Sequence, residues 1–261
     1  MKIGIIGATG WLGSALGRGL LDKGTAPGDL VLLNRSGPRA DYHGRRVTWA
    51  ADAAALAAQA DVIVVSVRPG DWPALALHSP GRLVISFMAG VDCSGLAACG
   101  GRIVRAMPNA AAEIAASYSP WFAAPGVTDH DRQTVTRILS AIGTSDELTQ
   151  EGQLDLMTAL PGSGAAYPAL MAEAMLAVAR AHGLPEPVAL RAVEAAVCGG
   201  ARMLEGQVGR AGELLAAYHD YRGTTDAGLN AAEAAGFRDA IRLALEAATD
   251  KARAMARPPL A

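Results

Sequence analysis

The stretch from Lys2 to Leu21 constrains this chain more than any other. A short apolar run, Lys2-Ile3-Gly4-Ile5-Ile6, leads straight into Gly7-Ala8-Thr9-Gly10-Trp11-Leu12-Gly13 and then into the helical pattern of Ser14 to Leu21. Strand, glycine turn and helix start together form a phosphate cradle. Glycines let the backbone turn tightly and approach a pyrophosphate, while free N–H groups and the positive end of the helix dipole favour the anion. A second apolar run, Leu30-Val31-Leu32-Leu33, follows at the spacing of a strand–helix–strand unit. Gly7, Thr9, Gly10, Trp11 and Leu12 are therefore expected around a dinucleotide; the bland alternative is a glycine-rich structural turn.

The residues after that second strand bear on which nucleotide. Sites that prefer NAD usually place Asp or Glu there, to accept hydrogen bonds from the ribose hydroxyls. This chain has Asn34-Arg35-Ser36. A carboxylate repels a 2′-phosphate, whereas a guanidinium grips it in a bidentate fork and Ser36 adds a hydroxyl. NADP(H) is expected, unless Arg35 is simply a solvated loop residue.

A chain of 261 residues can bury a full core in one large or two modest domains. Its formal net charge of −2 gives no electrostatic case for nucleic acid or an anionic membrane. Three cysteines, Cys93, Cys99 and Cys198, are an odd count without metal-ligand spacing, which suits a reducing compartment. Arg18, Asp22 and Lys23 interrupt the apolar N-terminus, and no uncharged stretch is long enough for a bilayer. A soluble, cytoplasmic protein is expected.

Strand candidates continue at regular intervals. Asp61–Val67 is β-branched and apolar without alternation, as in a parallel strand covered on both faces, and it ends in Arg68-Pro69-Gly70. Leu83–Phe87 ends in Met88-Ala89-Gly90-Val91, and Arg102–Ala106 ends in Met107-Pro108-Asn109. Alanine-rich helical segments lie around 52–59, 71–78 and 92–98, with a further strand around Ser117–Phe122 and a helix around 129–142. Such alternation implies a doubly wound α/β sheet of the Rossmann type over residues 1–150. From residue 151 to 261 helix formers dominate. Helices are expected over Ser163–His182 and Pro185–Glu205, parted by Gly183-Leu184-Pro185. The first carries Tyr167, Leu170, Met171, Met175, Leu176 and Val178, apolar nearly all round. It needs burial on more than one face, and a partner chain is the expected source. The prediction is an all-α dimerisation domain, in a homodimer or a higher oligomer of dimers.

The chain resembles the pyrroline-5-carboxylate reductase family along essentially its whole length. Ser66-Val67-Arg68-Pro69 is similar to that family's Val-Lys-Pro loop, and Ser86-Phe87-Met88-Ala89-Gly90-Val91 to its Ser-x-x-Ala-Gly-Val turn. Arg105-Ala106-Met107-Pro108-Asn109 resembles Arg-x-Met-Pro-Asn, and Thr158–Tyr167 resembles the block Leu-Ser-Gly-Ser-Gly-Pro-Ala-Tyr. Gly183-Leu184-Pro185, Gly223-Thr224-Thr225 and Gly236-Phe237-Arg238 follow in the family's order. The resemblance implies NADPH-dependent reduction of a cyclic imine, 1-pyrroline-5-carboxylate to proline. It places the cofactor also against Val67, Arg68, Pro69, Ala89 and Gly90, and the substrate near Met107, Asn109 and Ser163. It further implies that Gly223 and Thr224 shape a carboxylate pocket, usually supplied by the partner subunit, with the Thr225 hydroxyl at the imine nitrogen.

Two departures stand out. The family's glycine loop reads Gly-x-Gly-x-Met-Gly; this one is a residue longer and looks closer to deazaflavin-linked NADP reductases. Before Gly-x-Thr the family carries Ser-Pro-Gly, where this chain has Asp220-Tyr221-Arg222. Arg222 can attract a carboxylate that Asp220 repels, and two backbone restraints are lost. Asp220 can pair with an iminium nitrogen or, with His219, relay a proton; Asp220 and Arg222 can equally form a surface ion pair. His43, His78, His130 and His182 have no partner spacing and read as structural or solvated. The alternatives are a reductase of another cyclic imine and a degenerate nucleotide-binding paralogue. A hydroxy-acid dehydrogenase would carry a catalytic lysine, and none lies between Lys23 and Lys251.

Overall fold

The apolar runs become strands buried on both faces. In the computed structural model, which describes residues 1–256, the first is β1 (Ile3–Ile6), followed by α1 (Trp11–Asp22), β2 (Leu30–Leu33) and β3 (Thr48–Trp49). The chain then returns through α2 (Ala53–Gln59) to β4 (Val62–Val65), α3 (Trp72–Leu75), β5 (Leu83–Ser86), α4 (Cys93–Leu96) and β6 (Arg102–Ala106). Among the described residues the sheet order is β3-β2-β1-β4-β5-β6-β8, with β8 (Trp121–Ala123) antiparallel and the rest parallel. Side chains alternate between two cores: Ile3, Ile5, Val62 and Val64 pack with Leu16, Leu20 and Ile138, while Ile6, Ile63 and Val65 pack with Leu56, Ala57 and Leu96. Parallel strands covered by helices on both sides are apolar at every position for this reason.

Where the strand-by-strand expectation differs, local chemistry explains it. The single strand expected at Ser117–Phe122 is two. β7 (Ser117–Tyr118) pairs with β9 (Gly143–Thr144), and β8 turns onto β6 after Pro120, which has no N–H for a ladder. The helix expected over 71–78 stops at Leu75, because Ala76 enters the left-handed region at φ 46°. The one expected over 129–142 is α5 (Asp129–Leu139). The two-residue β3 is too short to read from periodicity.

Beyond β9 the elements are α6 (Gln153–Met157), α7 (Ala166–Ala181), α8 (Glu186–Glu194), α9 (Gly200–Arg202), α10 (Ala211–Tyr221), α11 (Thr224–Ala234) and α12 (Phe237–Ala256). One wide helical turn, Thr158–Gly162, surrounds Pro161, and another, Ala195–Gly199, joins α8 to α9. The expected division at 150/151 falls earlier than the observed one: one compact unit comprises Met1–Ser163 and the chain from Ala247, the other Gly164–Glu246. The reason is burial. Leu154 and Ala159 are fully covered, and Glu151 pairs with buried Arg105, so residues 151–163 belong with the sheet. In the second unit α7 has no buried residue, and Leu170 and Val178 are 66% and 60% exposed.

Arg102 and Asp131 brace the sheet against α5. Both guanidinium nitrogens Nε and Nη2 donate to the carboxylate, at 2.6 and 2.8 Å, and Thr128 closes a capping box with the same side chain. The Arg102 hydrogen bonds hold the buried Asp131 carboxyl well below the usual carboxylate range. A depressed folded-state value gives stability that is present above about pH 4 and lost as pH falls through that folded value. Asp131→Asn is expected to cost about 1.5–3 kcal/mol at neutral pH. Denaturant titrations at fixed protomer concentration should show the gap to wild type closing below about pH 4.

Candidate functional site

The turn after β1 exists because no side chain intrudes on it. Gly7 has φ 84°, and a Cβ there would lie 2.2 Å from the Ser66 carbonyl oxygen at the end of β4. A Cβ on Gly13 would lie 2.4 Å from the Gly7 oxygen. With no Cβ at either position, strand and helix come close enough for α1 to present its N-terminus at the sheet edge. Gly7 and Ala8 N–H groups bond to the Leu33 oxygen, and Gly10 N–H to the Gly7 oxygen. Among the described residues the N–H groups of Thr9, Trp11 and Leu12 make no hydrogen bond. Unspent donors at a glycine-capped helix start are what a pyrophosphate takes.

Beside this turn is a cavity of about 700 Å³, at the carboxyl edge where the sheet order reverses between β1 and β4. Gly7, Gly10, Asn34, Arg35, Ser36, Val67 and Arg68 line it, so those sequence candidates come together. Arg35 is largely exposed and its Nη1 lies 3.2 Å from Asp71 Oδ1, across the cavity. Asn34 donates to the Ser36 hydroxyl. Pro69 opens the turn that carries Asp71. Ala89-Gly90 stands apart from this lining: Gly90 has φ 75°, and a Cβ there would meet the Met255 backbone at 2.8 Å. Periodicity did not reveal Asp71 or the buried Tyr42. Asp52 lines the cavity too, and its place before an alanine run is a helix-cap signature.

Met107, Asn109 and Ser163 all lie in the first unit. Met107 is buried, with its Cγ 3.9 Å from the position of a Cβ on Gly162, beside Ser163. The Ser163 hydroxyl donates to the Thr158 oxygen at 3.1 Å and can still accept. Asn109 is committed to the fold: its Oδ1 accepts from Ala111 N–H and its own N–H donates to Ser117 Oγ. Arg105, in the same motif, is 5% exposed and donates to Glu151 Oε1, which also accepts from Cys93 N–H at 2.7 Å. Burial, with Glu151 alongside, pushes the Cys93 thiol up to about 12, so it stays protonated and unreactive.

The loop that departs from the family pattern lies in the second unit. α10 ends at Arg222, held in the left-handed region at φ 52°, and Gly223 caps α11. Among the described residues the N–H groups of Thr224, Thr225 and Asp226 carry no hydrogen bond, leaving a second anion-ready helix start. Both threonines are exposed. The His219–Asp220 relay does not form: His219 Nδ1 meets Asp226 Oδ1 at 2.7 Å, because α11 folds back over the last turn of α10. Asp220 and Arg222 make no ion pair with each other among the described residues, the left-handed turn having carried Arg222 off the helix. Arg222→Gly should relieve the unfavourable backbone and raise the unfolding free energy by about 1 kcal/mol, read from the denaturant midpoint at fixed protomer concentration.

Sheet order, glycine turn and cavity define a dinucleotide-binding fold of the oxidoreductase type, joined to a helical domain. A family model described as pyrroline-5-carboxylate reductase dimerisation matches residues 151–255, and one described as NADP oxidoreductase, coenzyme F420-dependent, matches residues 2–90. The pyrroline-5-carboxylate reductase of Mycobacterium tuberculosis is 34% identical, the match covering 96% of this chain and 95% of the relative. The structure of a pyrroline-5-carboxylate reductase from Coxiella burnetii is similar with a TM-score of 0.88 and 29% identity, covering 98% of this chain and 99% of the other. The Plasmodium falciparum enzyme with NADP bound gives 0.85 and 25%, covering 98% of each. The chain belongs to the pyrroline-5-carboxylate reductase family.

Proposed function

We propose that this protein reduces the C=N bond of 1-pyrroline-5-carboxylate to give proline, using NADPH. The observation that carries the reading is the 34% identity to a reductase of that name over 96% of the chain. The residues fit the cofactor. Three unspent N–H groups meet the pyrophosphate, and Arg35 with Ser36 takes the 2′-phosphate once Arg35 leaves Asp71. Bound there, NADPH supplies a hydride to the imine carbon. The protein's part is to orient the substrate and hold the nitrogen that gains a proton. The Thr225 hydroxyl hydrogen-bonds that nitrogen. Gly223 and the Thr224 N–H receive the substrate carboxylate, with Arg222 as an added cation.

A reductase of another cyclic imine is favoured by one observation, the replacement of Ser-Pro-Gly by Asp220-Tyr221-Arg222. Asp220 would then face an iminium nitrogen. We place the enzyme in the cytoplasm, in line with three unpaired cysteines; among the described residues no helix is long and apolar enough to cross a membrane. The exposed apolar faces of α7 and α8 assemble it as a homodimer, or as an oligomer of such dimers.

NADPH oxidation should be followed with pyrroline-5-carboxylate, with uncharged 1-pyrroline and with other cyclic imines. Arg35→Ala is expected to weaken NADPH by about 1.5–3 kcal/mol and leave NADH nearly unchanged. Equal losses in titrations of the two would remove Arg35 from the 2′-phosphate site. Thr225→Ala should lower turnover at unchanged NADPH affinity. Arg222→Ala should raise KM for the carboxylated imine and spare 1-pyrroline. If both loop variants match wild type on every imine, residues 219–225 are not the substrate site.

Assembly has its own test. Light scattering should find no monomer at micromolar concentration, and Leu170→Glu should aggregate or unfold, as obligate partners often lack a stable monomer. A soluble, active Leu170→Glu monomer would sink the dimer reading.

A further inference from the structure

Between β2 and β3 the chain makes an excursion that the nucleotide site does not need for its strand order. Residues 37–47 hold five charged or polar side chains besides Tyr42 (Arg39, Asp41, His43, Arg45 and Arg46) and only Pro38, Ala40 and Val47 as apolar ones, yet the segment is pinned at its middle. Tyr42 and Arg45 exchange backbone hydrogen bonds, each at 3.1 Å, and His43 Nε2 meets the Ser14 hydroxyl of α1 at 3.0 Å. The Tyr42 ring is 3% exposed and stands edge-on to His43 and Trp49. Its hydroxyl donates to the Ala8 carbonyl at 3.0 Å and lies 3.4 Å from the Gly13 oxygen. Both acceptors belong to the glycine turn.

Gly17 records how closely the side chain is fitted. A Cβ there would lie 2.0 Å from the Tyr42 hydroxyl oxygen. Gly17 lies a full turn beyond the phosphate cradle, so its missing side chain serves Tyr42. The peptide between Ala8 and Thr9 is trans and planar, so its C=O and N–H point in opposite directions. A carbonyl turned inward to Tyr42 sends the Thr9 N–H outward, and that N–H has no partner among the described residues. Burial pushes the phenol's ionisation up, so it remains an O–H donor across the working pH range.

We propose that Tyr42 is a positioning residue for the cofactor's pyrophosphate: its hydroxyl sets the Ala8–Thr9 peptide so that the Thr9 N–H faces the anion. The excursion thereby braces a glycine turn that is one residue longer than the family pattern. This rests on the NADPH reading above.

The test is Tyr42→Phe, which keeps the ring and removes the donor. NADPH and 2′-AMP, which carries the 2′-phosphate but no pyrophosphate, are titrated against wild type and variant. The Kd for NADPH should rise about tenfold and that for 2′-AMP should stay within twofold. KM for NADPH should rise with it while kcat at saturating NADPH holds. A residue that only packs would shift both ligands alike. Equal loss for both, loss for neither, or loss of the fold itself overturns the proposal. Wild type that fails to bind NADPH at all would instead bring down the nucleotide reading first, and the role of Tyr42 with it.

Discussion

The fold of the first unit turns on an approach between backbones that only glycine permits. Gly7 lies against the Ser66 carbonyl, and Gly13 against the Gly7 carbonyl, with no room for a Cβ at either place. That contact lets β1 lie beside β4 while α1 begins almost at the strand's end. It places a helix N-terminus with unspent N–H groups at the point where the sheet changes direction. A methyl group at either position would push α1 away and disturb the helix start and part of the core together. Leu16 and Leu20, on the same helix, are covered by Ile3, Ile5 and Val64. Binding and stability draw on one constraint.

Charge does for the far side of the unit what glycine does here. Arg105 on β6 is nearly fully buried and reaches Glu151, which also accepts the N–H of Cys93 at the start of α4. One carboxylate thus fastens three segments: the turn after β5, the strand leading to Met107-Pro108-Asn109, and the chain entering α6. A buried ion pair is a poor source of net stability, but removing one partner strands the other's charge. Its value is positional. It explains why residues 151–163 stay with the sheet although their composition already reads as helical domain.

Strand positions, sheet class and the nucleotide turn were legible because each rests on local pattern: unbroken apolar runs, glycine spacing, and Arg35 where a carboxylate is otherwise usual. The 2′-phosphate candidates meet in one cavity because they follow the carboxyl ends of β2 and β4, which topology makes neighbours. What stayed hidden depends on distant partners. Tyr42 is one aromatic in a polar stretch, and only the empty space over Gly17 gives it meaning. Adjacency in sequence suggests Asp220 as the partner of His219, yet successive helix residues point apart, and its partner, Asp226, is seven positions on. The boundary at 150 tracked composition, whereas compactness tracks the buried Glu151 and Leu154.

The altered loop shows how a restraint can pass from backbone to side chains. Ser-Pro-Gly stiffens the family's turn by fixing φ at proline and freeing it at glycine; here Tyr221 and Arg222 do neither, and Arg222 is driven into the left-handed region. The compensation is the His219–Asp226 pair. His219 lies in the last turn of α10, and Asp226 in the first turn of α11, where an anion suits the N–H end. The 2.7 Å bond between the two side chains clips the helix ends together. Asn230 holds the same carboxylate from the next turn. With the two helix ends tied in this way, the N–H groups of Thr224 and Thr225 remain without hydrogen bonds at the start of α11 among the described residues.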